Sequence, residues 1–121
     1  MSGEQPMTPQ QNTGRPIHLA IEVEHSARGD AAVLLLRGEV DYASAPQLRE
    51  AITEALGGVP VLNRIVIDMA GVTMLDSTGL GTLVVGYRIC NLAGVRLTVR
   101  KPSPFVARIL AMTGVDRTLT H

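Results

Sequence analysis

Ile17, Leu19, Ile21 and Val23 alternate with His18, Ala20, Glu22 and Glu24, which predicts a strand with one buried face. A turn over Ser26–Asp30, containing Gly29, separates it from Ala32–Arg37 (AVLLLR). That second segment is apolar on both faces and predicts a central strand. So short a connection makes the two strands antiparallel. Leu48, Ala51, Ile52, Ala55 and Leu56 then recur at helical spacing. Ser44 and Gln47 stand at capping-box spacing before that stripe, Pro46 lies in its first turn, and Gly57 ends it. Arg64–Met69 (RIVIDM) predicts a third strand, reached through a helix and so parallel to the second.

Ser77–Ala93 predicts a second helix, with Leu80, Leu83, Val84 and Tyr87 facing inward and Gly94 ending it. Val95–Arg100 (VRLTVR) alternates as a strand. Ser103 caps a third helix with Pro104 at its first position, and Gly114 closes it. Phe105, Ile109, Leu110 and Met112 are its apolar positions. Arg117–His121 is expected to add a short edge strand. The order ββαβαβα implies an α/β domain: one mixed sheet of four to five strands with helices packed on it.

Residues 1–16 have no period and are rich in Gln and Pro, so they read as a disordered tail before a domain over residues 17–121. Eleven Lys and Arg balance eleven Asp and Glu, without a basic run, and Tyr42, Tyr87 and Phe105 are the only aromatics. That balance argues against nucleic acid or a membrane surface as partner. The longest fully apolar run, Ala31–Leu36, is too short to cross a bilayer, and the first residues lack a signal-peptide layout. Cys90 is the single cysteine, so no internal disulfide can form. These features together predict a cytoplasmic protein.

Chemistry concentrates in Asp76-Ser77-Thr78-Gly79-Leu80-Gly81, where the third strand gives way to the second helix. A helix N-terminus has unpaired N–H groups and a partial positive charge, so it tolerates an added anion. Glycines beyond the hydroxyl are expected to leave it approachable. The segment suits phosphorylation and lacks the groups for catalysis. Gly79-Leu80-Gly81 is not a nucleotide loop, because the third glycine of the dinucleotide fingerprint and a Gly-Lys-Ser/Thr are both missing. No cofactor is implied. His18, His25 and His121 are scattered without metal-ligand spacing, and none is placed to serve as a base for Ser77. Cys90, in mid-helix, reads as a core residue.

Gly38-Glu39-Val40-Asp41 after the second strand, together with Asp76-Ser77-Thr78-Gly79-Leu80-Gly81 after the third, resembles the STAS domain family. The likeness is to its stand-alone bacterial anti-sigma factor antagonists and covers roughly Ile17 to Leu119. It implies that an anti-sigma factor serine protein kinase phosphorylates Ser77, and that a serine phosphatase resets it. It also implies that the unphosphorylated form frees a sigma factor by binding the kinase. The resemblance further implies a last strand and helix beyond the stretch ending at His121.

The partner surface is expected to combine the Gly38–Ser44 loop, including Asp41, with Asp76, Thr78, Gly79, Leu80 and Gly81. Asp41 has an alternative reading as a turn residue, and Asp76 and Ser77 as helix caps. Thr78 offers a second hydroxyl. Two rival functions remain: a STAS subunit of a scaffold or transport complex without a phosphoswitch, and a small serine hydrolase, which would need a histidine partner and an oxyanion loop.

Overall fold

In the computed structural model, residues 18–58 and 61–114 are described. They form β1 (Leu19–His25), β2 (Ala31–Val40), α1 (Ala45–Gly58), β3 (Arg64–Leu75), α2 (Ser77–Leu92), β4 (Arg96–Arg100) and α3 (Pro104–Thr113). The expected order ββαβαβα is the observed one. The tail over residues 1–16 and the edge strand expected at Arg117–His121 lie outside the described residues.

Among the described residues the sheet has four strands in the order β1-β2-β3-β4. β1 runs antiparallel to β2 through the tight Ser26–Asp30 turn, where Gly29 takes φ +76°. β2, β3 and β4 are mutually parallel, as connections through helices require. Ala32, Leu34, Ile65, Ile67, Met69 and Leu97 are fully buried and join Leu48 and Ile52 of α1 and Leu83 of α2 in one core. Val66 and Asp68 alternate with that set along β3, so they point the other way, and both are buried as well.

β2 and β3 outrun their apolar runs. β2 continues through Gly38–Val40 and β3 through Leu75, because pairing resumes after a register shift between Leu35 and Arg37 and persists from Gly38 opposite Val72, across a second shift, to Val40 opposite Leu75. Gly38–Val40, expected as loop, is therefore strand. Gly38 has φ +117°, and a Cβ on it would collide with the His18 carbonyl. The bulged ladder hides the strand from a period-2 reading.

The helices bury narrower stripes than their apolar residues suggest. α2 buries Gly79, Leu83, Gly86 and Cys90, while Leu80 and Tyr87 only flank the core. Gly86 lets α1 come close, since a Cβ there would sit 2.7 Å from Ile52 Cδ1. Burial pushes the Cys90 thiol up to about 11, so it is a core group. α3 buries Val106 and Leu110, whereas Phe105 and Met112 lie off that stripe and are exposed. Ser103 Oγ accepts from the Val106 amide and Gly114 takes φ +76°, so both expected caps of α3 form.

Candidate functional site

Parallel β2 and β3 end on one rim, with Val40 beside Leu75. The chain turns there, and the Asp76 amide donates to the Val40 carbonyl at 3.1 Å. Asp76 has extended backbone and is the N-cap of α2, its Oδ1 accepting from the Gly79 amide at 2.8 Å. Its other oxygen, Oδ2, accepts from the Tyr42 amide at 3.2 Å. One carboxylate thus satisfies an orphan donor of α2 and ties the β2–α1 loop to it.

With the cap supplied by Asp76, Ser77 is left as the first helical residue, exposed to solvent. Its hydroxyl enters no hydrogen bond among the described residues. Thr78 is exposed too, and its carbonyl accepts from Thr82 Oγ1 at 3.0 Å. Gly79 is buried, because a Cβ there would collide with the Val40 carbonyl and sit 2.8 Å from Val40 Cγ1. Gly81 faces open space. Only Gly81 is therefore free to ease approach to the hydroxyl; Gly79 serves the packing of α2 on β2.

The STAS domain family matches residues 21–121. An anti-sigma F factor antagonist of Paenibacillus polymyxa is 31% identical over 99 residues, covering 82% of each chain. The chain belongs to the STAS domain family. An anti-sigma factor antagonist structure from Mycobacterium paratuberculosis is 28% identical, covers 84% of this chain and 82% of its own, and superposes with a TM-score of 0.68. Unphosphorylated SpoIIAA, an anti-sigma factor antagonist, has the same fold at 24% identity, with a TM-score of 0.70 over 84% of this chain and 86% of that one. The phosphorylated form of Bacillus SpoIIAA is 22% identical, with a TM-score of 0.64 over 84% and 89%.

In this STAS domain Asp41 reaches the same rim, but its side chain turns inward. The residue is 8% exposed. Oδ1 accepts from the amides of Ala43 at 3.0 Å and Ser44 at 3.1 Å, and Oδ2 lies 2.7 Å from His18 Nε2. Burial pushes the Asp41 carboxyl up, but the His18 contact and the two amides outweigh it and hold it below the ordinary carboxylate value. The expected capping box does not form. Ser44 Oγ instead accepts from the Asp41 amide and donates to the Glu39 carbonyl at 2.7 Å, while Gln47 Nε2 donates to the Leu19 carbonyl. Those side chains are spent on fastening the β2–α1 loop to β2 and the first turn of α1 to β1.

Sequence reasoning missed two features of the rim. Tyr42 is 76% exposed, with its amide fixed on Asp76. Its signal was an aromatic in a chain nearly without them, next to Asp41. His18 and Glu39 meet Asp41 although 23 residues separate His18 from Asp41. The Glu39 amide donates to the His18 carbonyl at 3.0 Å, so the antiparallel pairing itself assembles the group. No linear spacing could reveal it.

Proposed function

We propose that this STAS domain is an anti-sigma factor antagonist controlled by phosphorylation of Ser77. Unphosphorylated, it binds an anti-sigma serine kinase and so releases the sigma factor that the kinase holds. The kinase brings the ATP and transfers a phosphoryl group to Ser77, and binding weakens. A serine phosphatase restores the active form. The setting is the bacterial cytoplasm, within transcriptional responses to stress. No described helix is long and apolar enough to cross a membrane.

The observation that carries this reading is the division of labour at the start of α2. Asp76 caps the helix, so Ser77 is not needed as a cap and its exposed hydroxyl stays available. Around it, Tyr42, Asp76, Thr78, Leu80 and Gly81 form the partner surface. Asp41 and Gly79 act from beneath, holding the loop and the helix in place. The antagonist activity of the Paenibacillus relative and the phosphorylated state of SpoIIAA support the same assignment.

Incubation with candidate anti-sigma kinases and ATP, followed by mass spectrometry, tests it. Phosphate is expected on Ser77, and Ser77→Ala should abolish incorporation while still binding the kinase. Equal incorporation in that variant, or phosphate on Thr78 in the unaltered chain, would overturn the assignment.

A further inference from the structure

We propose that His18, Glu39 and Asp41 form a binding site for one divalent transition-metal ion of the Zn²⁺ class, independent of the phosphorylation reading. The three donor atoms are already gathered: His18 Nε2 lies 2.7 Å from Asp41 Oδ2 and 3.4 Å from Glu39 Oε1, and all three atoms fall within 4.8 Å of one another. Zinc bonds of about 2.0–2.2 Å in a tetrahedron put neighbouring donors roughly 3.3–3.6 Å apart, so small side-chain shifts suffice.

The surroundings favour a cation. Among the described residues no Lys or Arg lies within ion-pair distance of either carboxylate; His18 is the partner of both. Asp41 is buried, and its Oδ1 is held by two backbone amides, which aims Oδ2 at the imidazole. Such support of a ligating carboxylate is how proteins orient metal ligands. His18 and Glu39 are each about half exposed, leaving an entry path and room for water as fourth ligand. An imidazole nitrogen with few oxygens suits Zn²⁺, Co²⁺ or Ni²⁺, whereas Ca²⁺ wants six to eight oxygens. The ion would clamp the start of β1 to the β2–α1 loop, whose Tyr42 amide rests on Asp76.

Calorimetric titration of the full chain with Zn²⁺ at neutral pH, and its melting temperature across Zn²⁺ concentrations, test the site. One saturable equivalent is expected, with the melting temperature rising with the metal. Co²⁺ should give a tetrahedral visible spectrum. His18→Ala and Glu39→Gln, both at half-exposed positions, should keep the far-UV circular dichroism, weaken binding by at least about tenfold, and lose that spectrum. His25→Ala and His121→Ala should bind as the unaltered chain does. Absence of saturable binding would overturn the site, as would binding that survives in both the His18 and Glu39 variants. Unchanged phosphorylation by a kinase would leave the metal result standing, because the two readings share no assay.

Discussion

Gly79 and Gly81 stand two residues apart in α2 and meet opposite surroundings. A methyl group on Gly79 would strike the Val40 backbone, which cannot move without disturbing the β2–β3 rim. Gly79→Ala is therefore expected to cost about 1–3 kcal/mol, as overpacking does. Gly81 has nothing within 4 Å of a built Cβ. Gly81→Ala should raise stability by about 0.5–1 kcal/mol through helix propensity. Urea denaturation of both variants measures the opposite signs. Gly81 lies one turn after Ser77 on the exposed face, so the stabilised variant is also expected to be phosphorylated more slowly. A Gly81→Ala chain that is no more stable, or is phosphorylated at the unaltered rate, would count against this division. The sequence offered two glycines beside a hydroxyl and no means to separate them. Which one touches β2 depends on the angle at which α2 crosses the sheet, and local spacing does not encode that angle.

Between elements, the tie to test is Asp68 of β3 with Arg100 of β4. Arg100 Nε donates to Asp68 Oδ2 at 2.7 Å, and the Ala70 amide donates to Oδ1 at 3.0 Å. Burial pushes the Asp68 carboxyl up, yet the Ala70 amide and Arg100 outweigh it, and its pKa is lowered. A carboxylate depressed in the folded state contributes stability above its unfolded pKa of about 3.9, and that contribution is lost as pH falls through the folded value. Urea midpoints from neutral pH into this acid range should fall more steeply for the unaltered chain than for Asp68→Asn; parallel curves would refute the role. The existence of each described element was legible, because strand and helix periods are local. The side-chain partners that meet across neighbouring strands were not. RIVIDM announced a buried strand with Asp68 inside it, but only the parallel register, Asp68 beside Arg100, supplies the counter-charge. In the same way β2 looked finished at Arg37, since Gly38 and Glu39 break the apolar run that the bulged ladder continues. At the candidate site, the Asp76–Gly81 string was readable as a strand-to-helix junction, whereas the His18–Asp41 contact exists only through pairing of distant segments.

For the molecule as a whole, the question is whether phosphorylation at Ser77 reshapes the domain or only its rim. A phosphoserine adds about −1.5 to −2 charges. Ser77 is exposed, and the nearest fully buried side chain of α2, that of Leu83, lies more than one turn away, so the group need not enter the core. The positive end of α2 offsets part of the charge, by roughly 0.3–1 kcal/mol. Against that stands Asp76, next in the chain and already holding the Gly79 and Tyr42 amides. Asp41 contributes less to the repulsion, because its carboxylate is turned toward His18. The fold should therefore persist, with any loosening confined to the Asp76–Tyr42 tie. Binding is more exposed to the change, since a phosphate enclosed against the kinase loses water beside a fixed carboxylate. Like charges at an interface cost several kcal/mol, and each 1.4 or so is about a tenfold loss of affinity. The phosphorylated chain is expected to keep its far-UV circular dichroism, with backbone chemical-shift changes limited to residues 38–44 and 74–84. Its affinity for the kinase should fall at least about tenfold. Ser77→Glu should reproduce the loss only in part, because it carries less charge. Shift changes spread across β1–β4, or undiminished affinity after stoichiometric phosphorylation, would rule out a switch that acts by repulsion at the rim.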